Sequence, residues 1–286
     1  MRPEIEAFLH GRTKTISYVV ADPTTKRAAV LDPVLDYDPG GGATATDSAD
    51  RLIAHVENAG LKVDWLLETH IHADHLTAAP YLKERLGGRT VIGARITEVQ
   101  GRFADIFNLK DEVPADGSQF DRLVEDGDRL ELGNLDIAVL HTPGHTPACV
   151  SYLVGDALFV GDTIFMPDYG TARCDFPGGD PGTLFRSIRR LLALPPETRL
   201  FVGHDYAPGG RDTAWETTVG EQRAGNIHVG DGIGEADFVA MRTARDARLA
   251  LPELILPAIQ VNIRAGHLPP PEKNGRRYLK IPLNAF

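Results

Sequence analysis

Short runs of apolar residues alternate with polar segments along the chain, and glycine, proline or aspartate bounds most of these runs. Residues 15–20 and 27–31 carry the apolar and β-branched side chains typical of strands, and the turn sequence at 22–25 separates them, so the pattern predicts a β-hairpin. After a glycine-rich loop at 39–42, apolar residues three and four apart predict a helix over residues 48–59. Strands that alternate with helices favour an α/β fold in which helices cover β-sheets.

The same alternation continues along the rest of the chain. A strand at 63–67 precedes a helical pattern that begins at Leu76 and stops at Gly87, and a weaker helical pattern covers residues 96–109. The remaining strand-like runs are residues 91–92, 123–132, 135–140, 157–160 and 200–202. Residues 237–249 predict a charged helix whose arginines form a solvated face, with Met241 and Leu249 as packing contacts.

Three of the predicted strands end near a glycine that is followed directly by a side chain able to bind a metal. Strand 135–140 leads to Gly144 and His145, strand 157–160 to Gly161 and Asp162, and strand 200–202 to Gly203 and His204. Glycine allows the chain to turn sharply where a strand leaves its sheet, so that the next side chain can point back over the strand ends. We therefore expect these imidazole and carboxylate groups to lie along one edge of the sheets.

A denser cluster follows the strand at 63–67, where three histidines and a carboxylate occupy six residues: His70, His72, Asp74 and His75. In an extended segment, residues two apart point the same way, so His70 and His72 can converge on one point. We expect Asp74 and His75 to enter the first turn of the following helix and to point elsewhere. Because imidazole is the commonest protein ligand for transition metals, the cluster predicts a metal site rather than a set of solvated loop histidines.

The composition of the 286-residue chain is that of an ordinary globular protein, with 42% hydrophobic and 24% charged residues. No linker-like segment divides it, so we expect a single domain over residues 1–286, with residues 215–286 as a C-terminal extension packed on the core. Forty acidic residues against thirty basic ones give a formal net charge of -10. This balance argues against nucleic acid or an anionic membrane as the main partner.

Cysteine content and the N-terminal sequence bear on the cellular compartment. Cys149 and Cys174 are too few for a disulfide framework in a chain of this length and indicate a reducing environment. The first ten residues lack the apolar core of a signal peptide, and no apolar run approaches the ~18 residues of a membrane span. We therefore expect a cytoplasmic protein.

The order of these motifs resembles the metallo-β-lactamase superfamily over about residues 16–206. The resemblance implies an αββα sandwich, in which two mixed β-sheets lie between helical layers and metals bind at the sheet edge. In dinuclear members such as glyoxalase II, the residues corresponding to one metal site would be His70, His72, His145 and Asp162. Those of the other site would be Asp74, His75, His204 and the bridging Asp162.

Several segments around these motifs look like the persulfide dioxygenase branch of the superfamily. These segments are residues 69–77, 143–147, 161–162, 173–176, 204–206 and 261–264. That branch binds one Fe(II) and oxidises glutathione persulfide to sulfite and glutathione with O2. Its iron ligands correspond to His70, His145 and Asp162. The tail from residue 215 onward looks most like the bacterial β-lactamase hydrolase-like proteins. The side chains left over in this interpretation would orient the ligands or hold a second metal, and they are His72, Asp74, His75 and His204.

Arg173 and Tyr206 stand close in sequence to the predicted ligands, and each has two open interpretations. Arg173 could hold a glutathione carboxylate with its two-pronged guanidinium, or it could pair with Asp175 at the surface. Tyr206 could reach the site with its hydroxyl or form part of the rim. A packed thiol is expected for Cys174 and a structural role for His141, while surface positions are expected for His10, His55, His228 and His267.

Three functions are compatible with the sequence, namely an iron persulfide dioxygenase, a glyoxalase II-like thioester hydrolase and a non-catalytic metal-binding module. Two histidines and one carboxylate leave three positions open on Fe(II), as non-haem iron oxygenases require, whereas hydrolysis needs a metal-bound hydroxide. We predict the dioxygenase, with one Fe(II) per chain, glutathione persulfide and O2 as partners, and a homodimer as a compatible assembly. Zinc or a dinuclear site is the alternative.

Overall fold

The computed structural model describes residues 2–285, in which strands form two six-stranded sheets and one three-stranded sheet. In chain order the strands are β1 Glu4–Leu9, β2 Ile16–Ala21, β3 Arg27–Leu31, β4 Val34–Asp38, β5 Ala43–Ala45, β6 Lys62–Leu67, β7 Leu76–Thr77, β8 Arg89–Gly93, β9 Arg122–Val124, β10 Arg129–Leu132, β11 Leu135–His141, β12 Val150–Val154, β13 Ala157–Phe159, β14 Arg199–Phe201 and β15 Glu216–Thr218. The α-helices are α1 Asp47–Asn58, α2 Ala79–Leu86, α3 Ile96–Ile106, α4 Pro181–Leu191, α5 Val219–Gly225, α6 Glu235–Asp246 and α7 Ile255–Asn262.

The first large sheet has the strand order β1-β2-β3-β6-β8-β9. Strands β2 and β3 are antiparallel, which confirms the predicted hairpin, and β3, β6, β8 and β9 run parallel to one another. Because parallel strands end at the same edge of a sheet, the residues after β3 and β6 begin side by side. Their first contact is the hydrogen bond from the Asp32 N–H to the Leu67 carbonyl at 2.9 Å.

The second large sheet has the order β10-β11-β12-β13-β14-β15. Strands β13 and β14 form its parallel pair, with Phe159 opposite Phe201, so the segments that carry Asp162 and His204 leave the sheet at the same edge. The Gly203 N–H donates to the Gly161 carbonyl at 3.2 Å and continues this pairing beyond the strands. The predicted gathering of strand ends at one sheet edge is confirmed for these two segments.

The core lies between the two sheets and beneath the helices. Strand β2 shows the period of two: Tyr18 packs with Phe159 and Phe201 between the sheets, whereas Val19 packs on the opposite face against α1. Apolar residues of α4 and α6 join the cluster that covers the second sheet. Two mixed sheets with helices packed against them agree with the predicted α/β class.

The helix predicted from Leu76 is wrong in its first turn. Residues Leu76–Thr77 form β7, which pairs with β4, and α2 begins at Ala79 with Pro80 in its first turn. Thr77 is bound on both sides, because its hydroxyl donates to Glu68 and its N–H donates to Asn262 Oδ1. These contacts hold the segment extended.

As a consequence, Asp74 and His75 lie in a bend before β7 and not in a helical turn as predicted. Eight further elements of the described chain were not predicted from the pattern: β1, β4, β5, β12, β15, α4, α5 and α7. For α4 a local signal was present, since Asp180 caps the helix by accepting from the Thr183 N–H at 2.7 Å and Pro181 follows it.

Several parts of the chain after residue 215 contact the sheets. Strand β15 pairs with β14 at the edge of the second sheet, and α7 packs against β7 next to the histidine cluster. Residues 268–285, including the proline-rich run, form no helix or strand. Among the residues that the structure describes, no helix has the length and apolar character needed to cross a membrane.

Candidate metal centre

The loop between β6 and β7 holds four of the selected side chains, and hydrogen bonds fix the first of them. His70 donates from Nδ1 to the Thr69 hydroxyl at 3.0 Å, and that hydroxyl donates to Asp32 Oδ2 at 2.8 Å. The other ring nitrogen, His70 Nε2, is buried and has no hydrogen-bond partner among residues 2–285. The ring is therefore held in the tautomer whose Nε2 lone pair can bind a metal.

His145 lies on the turn after β11 and faces His70, with 5.0 Å between the ring centroids. Its Nδ1 donates to the backbone carbonyl of Arg173 at 2.7 Å, which leaves Nε2 available. The preceding Gly144 has a φ of 139°, and a Cβ there would lie 2.3 Å from Leu184 Cα on α4. Glycine is required at this position because any side chain would push the turn away from α4.

Asp162 completes a group of three side chains. Its Oδ1 accepts from His204 Nδ1 at 2.7 Å, while its Oδ2 accepts no hydrogen bond from the described residues. One ligand atom each from His70, His145 and Asp162 lies within 4.8 Å of the other two. The structure thus brings together two imidazoles and one carboxylate, each with an atom that is not engaged by the protein.

The protonation states of these three groups suit a metal. Burial lowers the pKa of His70 well below its ordinary value and also lowers the pKa of His145, so both imidazoles are neutral near pH 7. Burial opposes the charge of Asp162, but the charged His204 beside it outweighs burial and holds the pKa of Asp162 below its ordinary value. Two neutral imidazoles and one carboxylate form a donor set that fits Fe(II) or Zn(II).

His72, Asp74 and His75 form a second group whose ligand atoms lie within 4.8 Å of one another. His72 donates from Nε2 to Asp32 Oδ1 at 3.0 Å, and Glu68 Oε2 lies 3.2 Å from the same nitrogen. Burial opposes a charge on His72, but these two carboxylates raise its pKa well above the ordinary value. His72 Nδ1 and His75 Nε2 are buried and without a hydrogen-bond partner in the described part of the chain.

Asp74 and His204 are engaged by protein groups. His204 donates from Nδ1 to Asp162 and from Nε2 to Asp74 Oδ2 at 2.9 Å. The Thr15 hydroxyl and His75 Nδ1 also donate to that Asp74 oxygen, each at 3.0 Å. Burial opposes the charge of His204, but Asp162 and the other acidic groups around it raise its pKa well above the ordinary value. Both nitrogens of this ring therefore serve as donors to carboxylates.

The sequence analysis missed two buried carboxylates behind the histidines, Asp32 and Glu68. Asp32 ends β3 with a φ of 46° and accepts from the Thr69 N–H at 2.7 Å as well as from the Thr69 hydroxyl. Its position after a strand next to the one that leads to His70 was the available signal. Both carboxylates contact His72, so they orient the second histidine of the loop.

Asn262 of α7 is the third residue that was not selected as part of the site. Its side-chain Nδ2 donates to the carbonyls of His72 and His75, both at 2.8 Å, and its Oδ1 accepts from the Thr77 N–H at 2.9 Å. The C-terminal part of the chain therefore holds the backbone of the histidine loop. No local sequence pattern indicates this contact, because about 190 residues separate its partners in the chain.

A cavity of about 340 Å³ opens beside His145 and Asp162. Aromatic side chains form much of its wall, and they include Phe165, Tyr169 and Tyr206. The Tyr206 ring lies parallel to the His204 ring, with 5.8 Å between centroids, and the residue is 43% exposed. Tyr206 therefore lies at the rim of the cavity and also covers His204.

Arg173 lines the same cavity, but each of its three guanidinium nitrogens already donates to a protein group. Nε and Nη2 donate to the two carboxylate oxygens of Asp175, both at 2.6 Å, and Nη1 donates to the Ala250 carbonyl at 2.7 Å. The pairing with Asp175 that the sequence left open is present. The Arg173 backbone contributes through its carbonyl, which accepts from His145.

The remaining cysteines and several histidines occupy structural positions. Cys149 and Cys174 are free and buried, and burial raises the pKa of Cys149 to about 12 and raises that of Cys174 as well. His141 donates from Nε2 to the Pro147 carbonyl at 2.9 Å, as expected for a structural histidine. His10 is half-buried and contacts Asp36 at 3.2 Å, so the surface position expected for it is only partly correct.

Two surface positions expected from the sequence are wrong. His228 is buried, and its Nδ1 accepts from the Thr171 N–H at 3.0 Å. Arg242 of α6 is also buried, where it donates to Asp246 Oδ1 at 2.6 Å and to the Thr171 carbonyl at 3.1 Å. A pair four residues apart on a charged helix resembles a solvated pair, but α6 turns this face toward the loop that carries Arg173.

His228 predicts a pH dependence of stability. Burial and the charges of Arg242 and Arg245 lower its pKa from 6.5 to about 4. Between pH 7 and pH 5 the unfolded chain therefore takes up a proton that the folded protein does not, so stability falls as the pH drops. We expect the free energy of unfolding to fall by about 1 kcal/mol over this range on account of His228.

The measurement is urea unfolding at pH 7 and pH 5 for the wild type, His228→Gln and His267→Gln. His228→Gln should reduce the difference between the two pH values, whereas His267→Gln, at an exposed position, should leave it unchanged. An equal pH dependence of the unfolding free energy in all three proteins would show that His228 does not contribute to it.

The sequence profile of the metallo-beta-lactamase superfamily matches residues 15–204. A protein of Burkholderia pseudomallei named probable metallo-hydrolase is 57% identical over 99% of both chains. A beta-lactamase hydrolase-like protein of Xylella fastidiosa is 55% identical over 99% of this chain, which spans 65% of that protein's length. Glyoxylase B2 of Dictyostelium discoideum is 50% identical over 99% of this chain and 98% of its own.

Among solved structures, ETHE1 from Myxococcus xanthus superposes with a TM-score of 0.74 at 30% identity, covering 92% of this chain and 100% of that one. The protein named persulfide dioxygenase ETHE1 of Bos taurus is 28% identical over 93% of this chain and 90% of its own. The expected superfamily, its fold and the similarity to β-lactamase hydrolase-like proteins are confirmed by these matches.

Proposed function

Because the chain belongs to the metallo-β-lactamase superfamily of metallo-enzymes, we propose that it is an iron-dependent persulfide dioxygenase. It oxidises glutathione persulfide with O2 and water to sulfite and glutathione. The sulfane sulfur loses four electrons, and one O2 accepts them. Two observations support this proposal. One is which atoms of the candidate ligands are free of protein hydrogen bonds, and the other is the similarity to ETHE1 proteins.

The observation that carries the proposal is the unequal engagement of the candidate ligands. His70, His145 and Asp162 each keep an atom free of protein hydrogen bonds. Asp74 Oδ2, in contrast, accepts from three donors, and both nitrogens of His204 bind carboxylates. The arrangement therefore favours one metal on two histidines and one carboxylate over two metals that share all seven side chains.

Around that ligand set, each neighbouring residue has a definable task. The Arg173 carbonyl and the Thr69 hydroxyl fix the two imidazole tautomers, and His204 holds Asp162 Oδ1 so that Oδ2 is the oxygen available to a metal. Bound there, Fe(II) would have three further positions and would supply the redox chemistry that joins a thiolate to O2. Phe165 and Tyr206 line the cavity, and the rings of both lie against the His204 ring.

The relationship to ETHE1 supports the same assignment. The Myxococcus xanthus protein shares the fold over nearly its whole length at 30% identity, and the Bos taurus protein of that name is called a persulfide dioxygenase. At this level of identity the reaction has to be inferred from the residues of the site and not from the relationship alone. Two neutral histidines and one carboxylate are the donor set that we expect for a mononuclear iron enzyme.

A second candidate is a glyoxalase II-like thioester hydrolase. The observation in its favour is the pair of buried, unpartnered nitrogens on His72 and His75, which together with Asp74 could hold a second metal. Relatives named glyoxylase B2 and probable metallo-hydrolase, at 50% and 57% identity, point the same way. A dinuclear hydrolase would require His204 and Asp74 to exchange their mutual hydrogen bond for metal bonds.

Metal analysis separates the two candidates. We expect anaerobically purified protein to contain about one iron per chain, and we expect His204→Ala to retain most of it, because His204 contacts the metal ligands but is not one of them. Elemental analysis of both proteins gives the stoichiometry. Two zinc ions per chain in the wild type, with one lost in His204→Ala, would support the hydrolase instead.

A further inference from the structure

We infer that Arg245 is the residue that holds a carboxylate of the glutathione part of the substrate, an inference that rests on the proposed function and concerns the cavity beside the candidate ligands. Within residues 2–285, four arginines line this cavity: Arg12, Arg173, Arg242 and Arg245. A substrate carboxylate binds most readily to a guanidinium that is not already engaged by the protein. Three of the four already donate to protein acceptors.

Arg173 donates to Asp175 and to the Ala250 carbonyl with all three of its nitrogens. Arg242 is buried and bound to Asp246 and the Thr171 carbonyl. Arg12 donates to Glu253 at 2.9 Å and to the Tyr37 carbonyl at 3.2 Å. An incoming carboxylate would compete with these protein acceptors for the same guanidinium.

Arg245 has no hydrogen bond or ion pair from its side chain to any of residues 2–285, although it lines the cavity. Glu253, which also lines the cavity, is paired with Arg12. The carboxylate of Asp246, the next residue along the helix, is taken up by Arg242 and by the Cys174 N–H at 2.8 Å. The guanidinium of Arg245 therefore lines the cavity, and neither of these two carboxylates pairs with it.

The position of Arg245 relative to the candidate metal ligands is fixed by the buried pair on its own helix. Arg242 and Asp246 bind the loop through the Thr171 carbonyl and the Cys174 N–H. The same loop carries the Arg173 carbonyl that orients His145. Hydrogen bonds thus connect the helix that carries Arg245 to the loop that orients His145, which favours holding a substrate in register with a reacting centre.

The remaining lining of the cavity suits the rest of a tripeptide. Apolar side chains of Leu249 and Leu254 and the rings of Tyr169 and Tyr206 line the same cavity as Arg245 and the ligands His145 and Asp162. The two tyrosine rings contact each other, with 4.7 Å between centroids. The substrate is accordingly a thiol derivative that carries a carboxylate remote from its sulfur, which a small persulfide without a carboxylate does not provide.

The test uses S-methylglutathione, which keeps both carboxylates but cannot react, and titration calorimetry on anaerobic, iron-loaded protein. Arg245→Gln should weaken binding about tenfold relative to wild type, as expected for loss of a charge-assisted pair. Arg248→Gln is the matched control, because Arg248 lies three residues further along, is exposed and does not line the cavity. It should change the affinity less than about twofold.

Esterified probes identify the group that Arg245 holds. The diethyl ester of S-methylglutathione should bind wild type and Arg245→Gln equally, and the glycyl monoester shows which of the two carboxylates is held. Equal affinities of Arg245→Gln and Arg248→Gln for the parent compound, or an equal loss with parent and diester, would overturn the inference. If binding of the parent compound depends on Arg245 but the protein consumes no oxygen with glutathione persulfide, the role of Arg245 in binding the carboxylate is retained and the proposed reaction is rejected.

Discussion

Asp162→Ala is expected to release the metal and to abolish activity. Asp162 is the only anion in the set formed with His70 and His145, so its loss removes both a ligand and the charge that balances the cation. Since changes in residues that merely orient ligands already cost about ten- to a hundredfold in metal affinity, loss of a ligand should cost more than about a hundredfold. Elemental analysis after gel filtration, together with the rate of oxygen uptake, measures both effects.

Asp74→Ala provides the matched control. In the mononuclear arrangement Asp74 contacts His204 and His75 but does not bind the metal, so this variant should keep most of its iron. If Asp162→Ala kept its iron, the proposed ligand set would be wrong. If Asp74→Ala lost metal to the same extent, the dinuclear arrangement would be preferred.

Asn262→Leu should destabilise the protein and weaken metal binding, although Asn262 does not lie among the ligands. Leucine has a similar volume but leaves the His72 carbonyl, the His75 carbonyl and the Thr77 N–H without their buried partner. At about 1 kcal/mol or more for each unsatisfied group, we expect the free energy of unfolding to fall by about 3 kcal/mol. Metal affinity should fall about ten- to a hundredfold, because the loop that carries His70 loses its support.

Gln260→Leu distinguishes loss of support for the histidine loop from a general loss of stability. Gln260 lies on the same helix and also makes three hydrogen bonds, to the Leu256 carbonyl, the Lys280 carbonyl and the Lys280 N–H. None of them reaches the histidine loop. This variant should lose about 1–2 kcal/mol in urea unfolding and keep its metal affinity. Equal metal affinities in the two variants would show that Asn262 is a purely structural residue.

The gathering of His70, His145, Asp162 and His204 could be predicted from the sequence because each follows a strand that ends at a turn. Strand direction and the sharp turn at glycine decide where such side chains lie, and both leave local signals. The order of the strands within each sheet did not have to be known to predict that these side chains gather at one edge.

The supporting contacts could not be predicted, because they join distant parts of the chain. Asn262 meets His72 across 190 residues, and Asp32 meets the same histidine across 40. Periodicity reports the face on which a residue lies but not the partner that covers that face. This is also why Arg242, with its neighbour Asp246 four residues away, was predicted on a solvated face but is buried.

The helix predicted from Leu76 failed for a related reason. Residues Leu76–Thr77 have an acceptable helical pattern, but β4 and Asn262 bind their backbone in an extended form. Tertiary hydrogen bonds therefore override the local helical preference of the two residues that follow the histidine loop.

Oxygen uptake and thioester cleavage, measured on one iron-loaded preparation, test the central claim most directly. With glutathione persulfide we expect oxygen consumption that depends on iron, yields one sulfite for each O2 and is absent with glutathione alone. With S-lactoylglutathione we expect no release of thiol. Release of thiol from S-lactoylglutathione without oxygen uptake on the persulfide would contradict the dioxygenase and establish the hydrolase in its place.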